Sequence, residues 1–101
     1  MTDDPAEDNR TRAYWGLCAL EAFARKTGQG DLLDGTLNIP DDILMEVGGD
    51  LLCDLFHLAR LNDVDPDQLT DRGRMHYDAE AAEEWPDAYQ YKAIDHDPSE
   101  E

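Results

Sequence analysis

Apolar positions recur at helical spacing in three stretches of the chain. The most regular lies between Asp41 and Leu61, where Leu44, Val47, Leu51, Leu55 and Leu58 are spaced three or four apart and Leu52, Phe56 and Ala59 form an adjacent row. From Arg10 to Thr27, Ala13, Leu17, Leu20 and Ala24 repeat the pattern, with Trp15, Ala19, Ala22 and Phe23 widening the apolar side. From Pro66 to about Glu84 the stripe is thinner: Leu69, Gly73, His76, Tyr77 and Ala81. No internal repeat is visible. The pattern predicts an all-α fold, a compact three-helix bundle with flexible acidic termini.

Local signals set the boundaries. Arg25 and Lys26 suit the negative end of a helix dipole, and Gly28 is a natural residue just past it. Residues 29–40 read as a loop, whose Leu32, Leu33, Leu37 and Ile39 are apolar enough to fold over the core. The Gly48-Gly49 pair costs about 2 kcal/mol relative to alanine inside a helix, so a break or kink is expected there. Asp65 is a good N-cap with Pro66 at the first helical position and Gln68 at the third, while Val64 and Leu69 have the spacing of a hydrophobic staple. Pro86 should stop that helix at Trp85. The short turn around Val64–Pro66 implies an antiparallel helix pair, its groove covered by the helix carrying Trp15 and Phe23. Residues 1–9 are expected to be a disordered acidic tail, 10–94 a single helical domain with Tyr89–Ala93 as an extended arm, and 95–101 a second disordered acidic tail.

Charge changes the picture more than length does. The 101 residues suffice for one small domain, and their 25 acidic against 8 basic groups give a net charge of −17. Direct binding to DNA, RNA or anionic membrane, which needs clustered Lys and Arg, is excluded on that balance. No apolar run approaches the roughly 20 residues of a bilayer span. The opening Met1-Thr2-Asp3-Asp4-Pro5 is the opposite of a basic, apolar signal peptide. A soluble, cytoplasmic protein is expected, with Cys18 and Cys53 as free thiols acting as small buried apolar groups. Three explanations compete for the acidity: life in high salt, a demand for solubility, or imitation of nucleic-acid phosphates.

Most candidate chemistries fail on their donor sets. Glu46, Asp50, Asp54 and His57 fall on one face of the second helix if that helix is continuous, and carboxylates one turn apart can hold Mg²⁺. No second cluster of ligands accompanies them, so the polar side of an amphipathic helix is the favoured reading. Cys53 and His57 are also one turn apart, and a three-helix bundle can bring Cys18 and His76 near them, but no CxxC or tight cluster marks a zinc site. Ser99 is the only serine, and Gly48-Gly49 lacks the Lys-Ser/Thr of a phosphate loop. No catalytic residue, metal or cofactor is expected. His76 and Tyr77 read as a packed, hydrogen-bonded pair at the edge of the core, and Trp15 and Trp85 as core and lid.

Two resemblances add context. Glu46 and Asp50, the apolar run to Leu61, the Asn62–Pro66 turn and the helix to Tyr77 resemble the third and fourth helices of all-α nucleoside-triphosphate pyrophosphohydrolases of the MazG type. That resemblance implies paired acidic motifs binding magnesium. Here Glu46 and Asp50 stand one residue further apart than the family's ExxD, and Glu21 is the only acidic residue between Arg10 and Thr27, so the partner ExxE is absent. A two-metal mechanism would lack half its ligands. Arg12-Ala13-x-Trp15, Leu20-Glu21-Ala22-Phe23, Asp50-Leu51-Leu52-Cys53-Asp54-Leu55-x-His57 and His76-Tyr77-x-Ala79-Glu80 are similar to small acidic proteins of phages, plasmids and integrated elements. That similarity implies a genomic context.

Together, acidity and context point to a non-enzymatic inhibitor that mimics nucleic acid and blocks a basic host DNA- or RNA-binding defence complex, of the anti-CRISPR or anti-restriction type. The alternatives are another non-catalytic helical interaction protein and a degenerate MazG-like hydrolase. The expected contact residues are Glu46, Asp50 and Asp54 on one helix, and Asp78, Glu80, Glu83, Glu84 and Asp87 around the end of the next. Trp85 or Tyr89 would add an apolar contact at the edge.

Overall fold

The structure, a computed structural model, describes residues 2–85. These form three helices and no strand: α1 (Pro5–Thr27), α2 (Asp41–Leu61) and α3 (Pro66–Glu84), with one turn of 3₁₀ helix at Gly30–Leu32. The all-α three-helix expectation holds.

The first helix starts earlier than its apolar pattern. Residues expected to be a disordered tail through Asn9 are helical from Pro5 onward. Asp4 caps the helix by accepting from the backbone N–H of Ala6, Pro5 occupies the first position, and Glu7 and Asp8 face the positive end of the dipole. Asp8 also accepts from the Thr2 backbone and hydroxyl at 2.8 Å each. The acidity that reads as disorder thus serves as helix-start chemistry. At the other end Gly28 takes the left-handed conformation, φ 82°, and its N–H returns to the Ala24 and Arg25 carbonyls.

Second and third helices have the expected bounds, with one difference inside each. The glycine pair does not interrupt α2, which is continuous from Asp41 to Leu61. Val47, wholly buried just before the pair, and half-buried Leu51 just after it hold both sides against the core, so packing overrides the propensity penalty. At the start of α3, the Asp65 carboxylate accepts from the Asp67 N–H at 2.9 Å, a cap made at the second helical position. Pro66 and the Trp85 stop stand where expected.

Few side chains are buried. Leu20, Ala24 and Val47 form the centre, with Phe23, Leu33, Ile39, Ile43 and Leu51 packed around it; Leu17, Ala59 and Ala81 are buried elsewhere. The expected core row of α2 is therefore corrected: Leu44, Leu52, Leu55 and Leu58 are 38% to 55% exposed. Two different neighbours explain this. The N-terminal half of α2 meets α1 through Ile43, Val47 and Leu51, whereas Phe56 near its other end shares a cleft with α3. Neither neighbour covers these four leucines. Leu32 and Leu37 in the loop also stay exposed, while Leu33 and Ile39 fold inward as expected. Cys18 and Cys53 are free thiols on the exposed sides of their helices, not buried groups. Trp15 is 58% exposed, outside the core, because it stands opposite the Leu17–Leu20–Ala24 face of α1.

Candidate functional site

The continuity of α2 decides the geometry of the first acidic group. Glu46, Asp50 and Asp54 follow at four-residue steps, so each rises about 6 Å above the last along one helix. All three are exposed. Asp50 accepts from the Gln29 side chain at 3.3 Å, and none of the three has a cationic partner among the described residues. His57 is exposed on the same helix. The structure therefore brings these residues into one solvent-facing row. Among the described residues no group of three or more His, Cys, Asp or Glu side chains converges closely enough to hold a metal ion.

The second group is divided by the fold. Glu80 pairs with Arg12, its carboxylate 3.3 Å from the guanidinium. Glu84 accepts from the Asn9 side-chain amide at 2.8 Å, and the same amide nitrogen donates to the Glu80 backbone carbonyl at 3.0 Å. Asn9 in turn accepts from Arg12 at 2.6 Å. These four side chains clamp the start of α1 to the end of α3. Asp78 lies 3.8 Å from Arg74, a distant pair within one helix. Glu83 is exposed and unpaired among the described residues, and Trp85 is half-exposed. Asp87 and Tyr89 lie outside the described residues. Two of the five expected carboxylates thus bind α1 to α3.

Asn9 and Arg12 are the residues that sequence reasoning missed here. Their signal was faint: an i, i+3 polar pair on one helix answering an i, i+4 glutamate pair on another. The clamp borders a cavity of about 940 Å³ whose walls include Arg10, Ala13, Leu37, Tyr77 and Trp85. His76 and Tyr77 do not form the expected packed pair. Both are exposed, and the Tyr77 ring instead lies under the Arg74 guanidinium, 5.6 Å from its centroid.

Two carboxylates outside both groups have lowered pKa values from local hydrogen bonds. Asp8 is stabilised as an anion by the Thr2 backbone N–H and then the Thr2 hydroxyl, and Asp34 by the Thr36 hydroxyl and then the Thr36 N–H. They organise a helix start and a turn. The Tyr14 hydroxyl is pushed the other way by its hydrogen bond with Cys18.

Compared with family models, with curated proteins and with solved structures, the chain matches none. No described helix is long and apolar enough to cross a membrane.

Proposed function

We propose that the protein is a non-catalytic inhibitor that presents α2 carboxylates to a basic groove normally filled by nucleic acid. The observation that carries this reading is the Glu46–Asp50–Asp54 row, exposed and without a cationic partner on one unbroken helix. Its step of about 6 Å keeps the three carboxylates as separate, evenly spaced anions along one line, as phosphates are along a strand. A helix holds these charges in place before binding, so Lys and Arg that grip phosphates meet them without an ordering cost. The net charge of −17 supplies long-range attraction to a basic partner. Glu83 and Trp85 extend the contact from α3, and Glu80 and Glu84 act mainly through the clamp. The partner class is a DNA- or RNA-binding defence complex of the cytoplasm, met as a mobile-element protein of the anti-CRISPR or anti-restriction kind would meet it.

The test is capture of such a complex on immobilised protein, followed by competition with duplex DNA. DNA should displace the protein, and the combined Glu46→Gln, Asp50→Asn and Asp54→Asn variant should lose binding. Unchanged binding by that variant would replace mimicry with an ordinary helix-mediated interaction.

A further inference from the structure

We infer that the cleft between α2 and α3 is a self-association face, covered in solution by a second copy of this chain. The inference stands apart from the mimicry reading. The cleft holds about 640 Å³ and is walled by Leu52, Leu55 and Phe56 of α2 and Leu69, Gly73 and Tyr77 of α3, with Thr70 and Arg74 completing its lining. Leu44 and Met45 continue the apolar surface towards the start of α2: Leu44, Gly48 and Leu52 form one four-residue ridge, and Met45 lies two turns before Leu52.

The open area reaches the lower limit for a specific contact between two copies. Leu44, Met45, Leu52, Leu55, Leu69 and Tyr77 are 38% to 76% exposed. At roughly 100 Å² of apolar surface per large aliphatic side chain and more for tyrosine, these leave about 350 Å² open per copy. Two copies face to face would bury about 700 Å² of apolar surface. Homodimer interfaces are about 65% apolar, so the whole contact comes to about 1,100 Å², just above the roughly 1,000 Å² expected of a specific interface.

Charge selects the occupant. The chain carries 25 acidic residues, yet the lining of this cleft includes no carboxylate and a single charged side chain, Arg74. A basic helix, the partner the net charge attracts, would find no anion to pair with there. A second copy meets an apolar surface like its own, with Arg74 the one charge in its lining and the Glu46–Asp50 side of α2 turned away. The fold itself points the same way. Val47 is the only large side chain wholly buried among the described residues, so the single chain leaves much apolar surface of α2 and α3 open. A second copy is always at hand. At the middle of the face, Gly73 has no neighbour within 4 Å of where a Cβ would stand, which leaves room for a helix to approach.

Sedimentation equilibrium of the full chain tests this. A mass of twice 11.4 kDa is expected, with association tightening between about 0.1 M and about 1 M salt as repulsion between like-charged copies is screened. Binding through the acidic row should weaken over the same range, so the two readings fail separately. Gly73→Glu tests the face: its Cβ meets nothing within 4 Å in the single chain and it improves helix propensity, but it sets a carboxylate in the contact. It should sediment at the single-chain mass with its helical circular dichroism intact. Met75→Lys, a substitution at an exposed methionine outside the cleft lining, should leave the dimer unchanged. A wild-type chain that stays monomeric in high salt overturns the inference, as does a Gly73→Glu variant that dimerises like wild type.

Discussion

The Arg12 guanidinium stands 3.3 Å from the Glu80 carboxylate, each side chain about one-third exposed. With Asn9 it joins the start of α1 to the end of α3, where Ala81 is the buried contact of α3. The apolar centre of the fold lies elsewhere, between α1 and the first half of α2. Polar groups therefore provide much of the hold of α1 on α3.

Removing Asn9 should expose that dependence. Asn9→Ala deletes both bonds from its amide nitrogen and the acceptor for Arg12. At about 0.5–1.5 kcal/mol net per hydrogen bond, the three bonds put the loss at about 1.5–4.5 kcal/mol, measured as a lower urea midpoint. Arg12→Ala should cost less, about 0.5–1 kcal/mol, because a part-exposed ion pair contributes little. If both midpoints equal wild type, the clamp does not hold α1 to α3.

The glycines of the helices should respond with opposite signs. A Cβ at Gly49 meets nothing within 4 Å, so Gly49→Ala should stabilise α2 by about 1 kcal/mol. Gly28 has φ 82°, a conformation that costs an L side chain about 1–2 kcal/mol, so Gly28→Ala should destabilise. Thermal melts of the two variants displaced in the same direction would contradict the helix boundaries described here.

Most helix bounds were readable because capping chemistry is local: Gly28, Asp65 and Pro66 each act within a turn of where they stand. The start of α1 at Asp4 and Pro5 was hidden by the acidity around it. Burial was less readable because it depends on which neighbour arrives. Leu51 and Leu55 look equivalent in the repeat, yet Leu51 packs on the α1 contact while Leu55 borders an open cleft. The same holds for the candidate site. The spacing of Glu46, Asp50 and Asp54 placed them in a row only on a helix unbroken at Gly48-Gly49, where a break was expected, and nothing local distinguishes Glu80, held by Arg12, from Glu83, which is not. That difference depends on a contact spanning some seventy residues, such as Asn9 with Glu80.

Asp34 provides a pH test. Hydrogen bonds from Thr36 lower its pKa from the ordinary 3.8. A depressed carboxyl pKa adds stability that is complete above the unfolded value and is lost as pH falls through the folded value. The loop turn at Asp34–Thr36 should thus persist at pH 4 and loosen only below the ordinary carboxylate range. Carboxyl NMR should place the Asp34 midpoint below 3.8, and Thr36→Val should raise it. An Asp34 that titrates at its ordinary value would remove the turn's proposed acid sensitivity.

The non-enzymatic reading predicts no pyrophosphate release from nucleoside triphosphates with Mg²⁺. Glu46 and Asp50 lie on the exposed side of α2, and among the described residues no third donor converges with them closely enough to hold a metal ion. Release that is abolished by Asp50→Ala would reinstate the hydrolase alternative.

Salt separates an inhibitor from a protein adapted to brine. A net charge of −17 on 101 residues destabilises the folded chain by self-repulsion at low ionic strength. Screening should relieve most of it once the Debye length falls to about 10 Å, near 0.1 M salt. The melting temperature should therefore rise steeply from about 0.01 M to about 0.1 M and more gently beyond, with the three helices already formed in dilute buffer. Circular dichroism at each salt concentration reads both quantities. A chain that is unfolded in dilute buffer and gains its helices only in molar salt would make the acidity an adaptation to the solvent, and the Glu46–Asp50–Asp54 row would need no partner to explain it.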